Sequence, residues 1–408
     1  MARPSVSLCD TVPSMRRLPF RSLRLIPAMS CLFCLSATIQ VSYAEESRLS
    51  MYLLSEAWED ETAPGHVAVM ARWERRFANR HAKLILEFNT ETINLELDQI
   101  YLASRMSLGG QIRAEAFGTN VLFDYFQNGQ YDAKRTIAAS NGLANVWVNW
   151  NPFSRFYLRH ENGLRKWLSV PVPGRTSPKL ELPEDSLVYE SRLNLTWWNL
   201  DHDSAWSQRQ RNYPRLQGFA VGTRLGANWQ FDTKPWGARN PLIFTPVDSR
   251  NQPENFQWSV TQWFLGGWKL NDGVRIQINE EATWAEGVDD LSRRTVGGLT
   301  PFTANLPGMP WAYLHADKYA SMTTSFHFRT FVADLEVGPL ASGIVVQDFE
   351  RIGTSQFTPL FGVGGFVDYR FGPWQFDIRG GYSPSLKALH PQQGAWSVLG
   401  ALGWGSLL

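Results

Sequence analysis

The cluster Asp201-His202-Asp203 has the most enzyme-like composition in this sequence. A histidine beside two carboxylates is the side-chain set of a proton relay or a metal site. On an extended chain, however, neighbouring side chains point in opposite directions, so three consecutive residues seldom converge on one substrate atom. The pattern therefore favours a solvated loop, and a hydrolase that depends on His202 stays open as an alternative.

The remaining histidines do not favour metal or cofactor chemistry. They show none of the spacings that zinc ligands adopt. Their positions are His66, His81, His160, His315, His327 and His390. The sequence also contains no Gly-x-Ser-x-Gly elbow, phosphate loop or dinucleotide fingerprint. We expect no cofactor and no metal, and the sequence favours a protein that is not an enzyme.

Charged residues alternate with apolar ones in the second half of the chain. Such a pattern requires strands, because successive strand side chains point to opposite faces. We expect the charged face to line the lumen of a barrel, where its residues either pair across strands or select solutes by charge. Both signs are nearly equal in number, which favours pairing. The candidates are Arg224, Asp232, Arg275, Glu281, Arg329, Asp368, Arg370, Asp377 and Arg379.

An alternating hairpin near the C-terminus shows the element that would position these charges. Apolar residues or glycines occupy every second position from 361 to 371, and the pattern resumes after the Gly372-Pro373 turn. This predicts two antiparallel strands with one apolar and one charged face. We expect the charges at 368, 370, 377 and 379 to meet across the two strands, directly or diagonally. The residues expected to face lipid are Val367, Tyr369, Trp374, Phe376 and Ile378.

The same period recurs along most of the chain. Several runs reach the ~9–11 residues that a tilted strand needs to cross a bilayer. The alternating runs lie at 67–73, 83–88, 93–97, 111–116, 121–125, 146–150, 189–197, 219–231, 258–268, 274–284, 322–332 and 396–404, besides the hairpin. We expect an all-β fold, a transmembrane antiparallel β-barrel of about 16 strands. The loops are predicted at 129–143, 170–186, 233–255, 286–320 and 383–393. The alternative is a large soluble β-protein, on whose surface so many alternating charges are hard to place.

The first 44 residues differ from the rest of the chain. Four arginines between positions 16 and 24 precede an apolar stretch, and Ser42-Tyr43-Ala44 offers small residues where a signal peptidase cleaves. We predict a signal peptide at 1–44 and a barrel at 45–408, hence export to the bacterial outer membrane. A membrane anchor, a lipid on Cys31 or Cys34, and a start at Met15 are the alternatives.

Removal of this segment changes both the thiol content and the charge. All three cysteines lie within it, so disulfides and cysteine chemistry are excluded from the mature chain. The formal net charge changes from +1 to −3, since five basic residues and one acidic residue are lost. Nucleic acid is therefore not an expected partner. The 18 Trp all lie beyond residue 57, and such aromatic residues concentrate at membrane interfaces.

Three segments resemble the outer-membrane assembly and surface-antigen superfamily. They are GANWQFDTKPWGARNP at 226–241, Val296-Gly297-Gly298-Leu299 before a Pro/Gly-rich loop, and VDYRFGPWQFDIRGGYSP at 367–384. The resemblance covers residues 216–408 and implies a barrel that moves or inserts a polypeptide or another large solute. Two family features are not found: the Arg-Gly-Phe/Tyr motif after Gly297-Gly298, and a stretch before the barrel long enough for polypeptide-transport repeats.

Three functions therefore remain open from the sequence. The first is the surface-antigen or assembly-type barrel, the second a general or selective diffusion porin, and the third a hydrolase embedded in the barrel. The expected partners are outer-membrane lipid and lipopolysaccharide, together with the barrel-assembly machinery that would insert the chain.

Overall fold

The computed structural model describes residues 44–407, with gaps. The gaps are 59–65, 78–81, 90–91, 116–120, 124–125, 128–129, 132–134, 201–215, 239–252, 290–291, 298, 300–304, 310–313, 348–355 and 390–394. The signal peptide predicted at 1–44 lies outside the described residues except for Ala44, and so does Asp201-His202-Asp203. The barrel belongs to one compact unit, Glu45–Leu408.

Sixteen long strands form a closed antiparallel barrel, and 81% of the structure is strand. The all-β fold and the strand number expected from the sequence are confirmed. The barrel strands are β1 Ala44–Trp58, β2 His66–Phe77, β3 Ala82–Asn89, β4 Thr92–Ala103, β5 Met106–Glu115, β9 Arg135–Phe153, β10 Phe156–Thr176, β12 Leu187–Leu200, β13 Gly218–Phe231, β15 Phe256–Asn271, β16 Val274–Glu286, β19 Lys318–Arg329, β20 Leu335–Gln347, β21 Phe357–Phe371, β22 Trp374–Tyr382 and β23 Trp396–Leu407.

The barrel strands pair in chain order, and β1 pairs with β23 to close the ring. Arg48 lies opposite Leu407 at one end of this seam, and Trp58 lies opposite Ser397 at the other. The described residues contain one helix, α1 Pro384–Leu389. The short strands are β6 Val121–Phe123, β7 Phe126–Gln127, β8 Gln130–Tyr131, β11 Leu180–Glu181, β14 Gly237–Ala238, β17 Arg294–Val296 and β18 Leu314–Ala316.

The two ends of the barrel differ in the length of their connections. Tight turns at 104–105, 154–155, 272–273 and 372–373 lie at one end, which we call the turn end. Longer segments, including 287–317 between β16 and β19, connect strands at the opposite end, which we call the loop end. The exceptions are the long connection 201–217 between β12 and β13 at the turn end and the two-residue connection 90–91 between β3 and β4 at the loop end. Short turns at one end and long loops at the other are typical of outer-membrane barrels.

The barrel wall is apolar outside and polar inside. On β22, Phe376 and Ile378 are 44% and 57% exposed, whereas the alternate residues Gln375 and Asp377 are 6% and 1% exposed. In a closed barrel the two faces of the sheet are the outside and the interior, so the buried polar face is the inner one. Such an arrangement is the reverse of a soluble β-protein and suits a wall surrounded by lipid.

Aromatic pairs mark both ends of the outer face. Trp374 and Trp404 lie with ring centroids 6.5 Å apart at the turn end, and Tyr382 and Trp396 lie 4.8 Å apart at the loop end. The strand from 374 to 382 measures about 26 Å between them at ~3.3 Å per residue. The height of the apolar band on outer-membrane barrels is of the same order, about 25 Å.

Two predicted loops are partly strand, and three strands, β1, β10 and β20, had no predicted run. β9 and β10 extend into 129–143 and 170–186, and they pair as far as Arg135 opposite Thr176, with a register shift after Ile137 opposite Pro171. β10 shows no clear alternation in its sequence because polar residues such as His160 lie on its outer face. β1 was missed because buried Tyr52 and Leu54 lie next to exposed Leu53, so both of its faces are apolar.

The run predicted at 121–125 is not a separate barrel strand. β6 contains only three residues and pairs with β9, with Val121 opposite Ala139. β5 pairs with the same strand from Met106 opposite Trp150 to Glu115 opposite Asn141, so β6 extends the position that β5 occupies.

Candidate functional site: the inner face of the barrel

The hairpin of β21 and β22 brings four of the predicted site residues together. Asp368 and Asp377 lie directly opposite each other, and their residues are 2% and 1% exposed. The Arg370 Nη2 lies 2.9 Å from Asp368 Oδ2, and the Arg379 Nε lies 2.9 Å from Asp377 Oδ1. Gln375 adds a hydrogen bond from Nε2 to Asp368 Oδ1 at 3.2 Å.

The sequence predicted that these charges would meet across the two strands. The two ion pairs described above instead run along each strand. The register places the two aspartates side by side, so each carboxylate has a like charge as its direct neighbour. Arg370 and Arg379 therefore bond to the aspartate two residues earlier on the same strand and face. The pattern identified the face, but the pairing depended on side-chain reach.

Arg275 and Glu281 lie on β16 and take part in two further networks. Arg275 pairs with Glu336 on β20, and Glu336 Oε2 also lies 3.3 Å from His327 Nδ1. Glu281 accepts a hydrogen bond from the Tyr319 hydroxyl. The Arg294 Nη2 lies 3.7 Å from the other oxygen of this carboxylate.

The other three predicted residues do not join one site. Arg224 donates from Nε to Asn194 Oδ1 at 2.9 Å on the neighbouring strand β12. Arg329 is the exposed last residue of β19, at the turn end. Asp232 lies just beyond the end of β13, is exposed, and has a left-handed backbone with φ of 59°. The alternating pattern predicted that Asp232 would lie on the same strand face as Arg224. The strand β13 ends one residue earlier, at Phe231, so Asp232 is not on it.

Apart from Arg224 on β13, the inner charges on β2–β13 were missed among the sequence candidates. Their inner faces, which we call the charged wall, carry Glu74, whose carboxylate lies 3.1 Å from Lys83 Nζ and 3.7 Å from Arg72 Nη2. Glu190 lies 2.6 Å from Arg165 Nε and 2.7 Å from Arg192 Nη2. Glu190 and Arg192 lie within the run predicted at 189–197 and could have been identified there, whereas Glu74 lies just beyond the run at 67–73 and Arg165 lies on β10, which had no predicted run.

An asparagine series on β9 belongs to the same wall. Asn141, Asn145 and Asn149 are all buried, at every fourth position. Asn149 donates from Nδ2 to Asp98 Oδ1 at 3.2 Å, and Trp147 donates from Nε1 to the same oxygen at 2.9 Å. The Arg159 guanidinium lies 3.8 Å from the centre of the Trp147 ring, which is cation-π geometry.

The loop 287–317 packs against the inner face on the opposite side of the barrel. The backbone N–H of Leu299 donates to Glu56 Oε1 at 3.0 Å, a contact between residues 243 positions apart. The backbone N–H of Gly308 donates to Ser397 Oγ at 2.9 Å. Leu299 also packs with Leu54 and Leu399. The loop is therefore bonded to strands on both sides of the β1–β23 seam.

Beneath this loop the inner face changes from polar to apolar. We call the loop-end part of the inner faces of β19–β23 the loop-covered wall. Its residues Ile344, Val346 and Leu360 form a buried cluster with Leu306 and Met309 of the loop. Towards the turn end the same strands carry Ser342, Glu336 and Asp368. The apolar cluster of β19–β21 thus lies where the loop excludes water, whereas on the charged wall the buried apolar residues Leu143 and Trp147 lie singly between the asparagines of β9.

Glycines allow the close approach of the loop. Gly308 has φ of 85°, a conformation that favours glycine, and a Cβ there would collide with the Ala395 carbonyl. A Cβ on Gly362 or Gly381 of the wall would collide with Pro307. The sequence predicted a Pro/Gly-rich loop at this point, but its inward position depends on wall residues distant in sequence.

A cavity of about 280 Å³ opens at the turn end between β15, β16, β19 and β20. It is lined by Lys269, Asp272, Arg275, His327, Arg329 and Glu336, besides Leu216 and Gln217. Lys269 Nζ lies 2.6 Å from Asp272 Oδ1. Three cationic and two acidic side chains thus surround the cavity.

Within the part of the chain that the structure describes, no group of three or more His, Cys, Asp or Glu residues is arranged to hold a metal ion. Among the same residues, no helix is long and apolar enough to cross a membrane.

The fold is similar to barrels of known structure. BamA from Haemophilus ducreyi lacking POTRA domains 1-3 matches with a TM-score of 0.58 and 11% identity, over 88% of this chain and 70% of that one. CdiB from Escherichia coli matches with a TM-score of 0.54 and 9% identity, over 88% and 63% of the two chains. CdiB from Acinetobacter baumannii matches with a TM-score of 0.52 and 10% identity, over 89% and 60%.

These matches confirm the resemblance to assembly and surface-antigen barrels as a likeness of fold. This chain spans less than two thirds of either CdiB chain. No family model matches the sequence, and no curated protein matches it. The class that fold and inner face define is a β-barrel of the outer-membrane type, which supports a location in the outer membrane.

Proposed function

We propose that this protein is an outer-membrane barrel of the assembly and surface-antigen type, which moves or inserts a polypeptide or another large solute. The loop 287–317 holds its passage closed at rest. The observation that carries this proposal is the contact of the loop with the inner wall, through Glu56, Ser397 and the buried cluster around Leu360. A dry contact of this kind occupies space that a freely open channel would leave to water.

The inner charges suit this function better as braces than as a selectivity filter. On the charged wall and on β21–β22, acidic residues lie within ion-pair distance of basic residues, as Glu190 does with Arg165 and Asp377 with Arg379. The Glu190–Arg165 pair joins β12 to β10, whereas the Asp377–Arg379 pair lies within β22. Pairs of both kinds leave little net field for sorting small ions. We propose that the nine predicted residues, apart from exposed Asp232 and Arg329, line the lumen in this bracing role.

Conductance in planar bilayers tests the closed state. The purified wild-type barrel should show only small, brief openings, and a variant lacking residues 298–312 should conduct steadily, since this deletion removes the loop from the wall. Deletion of 239–252, from another loop, is the control and should behave as wild type. An unfolded polypeptide added to the open variant should block its current reversibly.

A diffusion porin is the second candidate, favoured by the cavity at the turn end and the polar inner face. Steady, ohmic conductance of the wild type, unchanged by the 298–312 deletion, would establish the porin and exclude the closed barrel.

The remaining proposals concern export and surroundings. Residues 1–44 act as a cleaved signal peptide, and N-terminal sequencing of the mature protein should begin at Glu45. The exposed apolar face contacts outer-membrane lipid and lipopolysaccharide, and the barrel-assembly machinery inserts the chain. A band on a gel of membrane fractions that migrates differently before and after boiling supports insertion, and an unshifted band in a soluble periplasmic fraction contradicts it.

A further inference from the structure

A serine, a histidine and a glutamate lie in line beside the turn-end cavity. On β19, Ser325 and His327 are two residues apart and so share the inner face. Ser325 Oγ lies 3.0 Å from His327 Nε2, and Glu336 Oε2 on β20 lies 3.3 Å from His327 Nδ1. The order matches that of nucleophilic hydrolases, with a hydroxyl at hydrogen-bond distance from one imidazole nitrogen and a carboxylate at ion-pair distance from the other.

The surroundings hold the imidazole ring in this position. Gly338 faces the interior between Glu336 and Leu340, and β19 approaches it so closely that a Cβ there would collide with the Phe326 carbonyl. The ring of Phe366 lies with its centroid 4.4 Å from that of His327. Arg275 pairs with Glu336 and fixes the carboxylate. All three triad residues are less than a tenth exposed.

We propose that Ser325, His327 and Glu336 form a hydrolytic triad that cleaves small carboxylic esters at the turn end of the barrel. The cavity of about 280 Å³ is lined by His327 and Glu336 and has room for a small acyl group, and Ser325 lies next to it through its contact with His327. Lys269 and Arg275 pair with Asp272 and Glu336, and the further cation of the lining, Arg329, favours a substrate that also carries an anionic group. This hydrolytic activity does not depend on the proposed movement of a polypeptide through the barrel.

The reaction balances with water as the only co-reactant. The Ser325 Oγ bonds to the ester carbonyl carbon as its proton passes to His327 Nε2. The carbon–oxygen bond to the alcohol then breaks, and the alcohol leaves with that proton. Water attacks the acyl-enzyme and gives a proton to Nε2, and the bond to Oγ breaks as the proton returns to it. Glu336 touches no reacting atom and is a positioning residue.

The decisive measurement is covalent labelling with a fluorophosphonate, an irreversible probe of activated serines. The folded full-length barrel in detergent should take up one label per chain, located by mass spectrometry on Ser325. Ser325→Ala should abolish the label, and His327→Gln should slow labelling at least about 100-fold, since it removes the general base. Ser342→Ala is the matched control. Ser342 is buried on the next strand, and its hydroxyl forms a hydrogen bond with the hydroxyl of Thr323 rather than with a histidine.

Turnover of two esters provides a second readout. The mono-p-nitrophenyl ester of succinic acid should be cleaved with a higher kcat/KM than p-nitrophenyl acetate, and Arg329→Gln should remove that preference. Glu336→Gln should lower kcat with little change in KM, which a merely structural role would not do. Each variant must keep the boiling-dependent gel shift of a folded barrel. Absence of both label and turnover in the folded wild type, or a label that persists in Ser325→Ala, overturns the proposal.

Discussion

The charged wall and the loop-covered wall are built from the same strand geometry but have opposite inner faces. On the charged wall, buried groups such as Glu74 and Glu190 are compensated by neighbouring cations. On the loop-covered wall, Ile344 and Leu360 are 1% and 2% exposed under the loop. The difference shows that a contiguous apolar cluster forms on the inner face where the loop covers it, whereas the charged wall intersperses single apolar residues such as Trp147 among polar ones.

The comparison has a consequence for stability. Removal of a charge from the first wall leaves a buried partner charge without compensation, whereas truncation in the second leaves a cavity. The tests below measure the free energy of unfolding in lipid vesicles by urea titration with tryptophan fluorescence. They are ordered from the largest expected effect to the smallest.

Glu74→Ala should destabilise the barrel most, by about 3–5 kcal/mol, because Lys83 and Arg72 lose a buried counter-charge. Glu184→Ala, in the exposed pair with Lys234 at the loop end, is the control and should cost far less. A loss below 1 kcal/mol for Glu74→Ala would mean that water fills this part of the interior and solvates the charges. The charged wall would then not depend on ion pairs for its stability.

Leu360→Ala should cost about 2–5 kcal/mol, because the cluster under the loop is dry and closely packed. The same variant should also raise conductance, since the loop loses part of its contact. Val363→Ala on the outer face of the same strand serves as the control and should leave the conductance at the wild-type level. Equal conductance of the two variants would show that the cluster does not hold the loop.

Phe376→Arg extends the comparison to the outer face and should cost about 2–4 kcal/mol near the membrane midplane. Gln375→Arg places the same charge one residue away, on the inner face, and should cost much less. Equal tolerance of the two substitutions would contradict the assignment of faces on β22.

Asp377→Asn should have the smallest effect, about 1 kcal/mol, since asparagine still accepts a hydrogen bond from Arg379 and the repulsion with Asp368 is relieved. Transport should be nearly unchanged if the pair only braces the wall. A shift in ion selectivity at constant stability would instead assign Asp377 to solute selection.

The wall was predictable wherever local pattern and turn chemistry agreed. β21 and β22 were placed to within a few residues because Gly372-Pro373 fixes the turn and apolar residues alternate on both sides. β10 was not recognised, because outward residues such as His160 and Asn162 are polar and bond to Ser191 and Tyr189 on the next strand. Periodicity fails where polar groups on the lipid side satisfy one another.

The inward position of the loop 287–317 could not be predicted from the sequence, for a different reason. Its limits, 286–320, were predicted closely, but Glu56 and Leu299 meet only once the ring has closed. The triad residues show the same limit: Ser325 and His327 were recognisable as neighbours on one face, whereas Glu336 joins them through the register of β19 with β20.

The two glycines that contact Pro307, Gly362 and Gly381, are sites at which the loop could be displaced by substitution. Because Gly362 and Gly381 belong to the wall, a side chain introduced at either position acts as a wedge that displaces the loop while every loop residue stays intact. Gly362→Val would therefore yield a permanently unlatched barrel whose surface epitopes on the loop are preserved. Vesicles carrying such a barrel would be permanently permeable to large solutes.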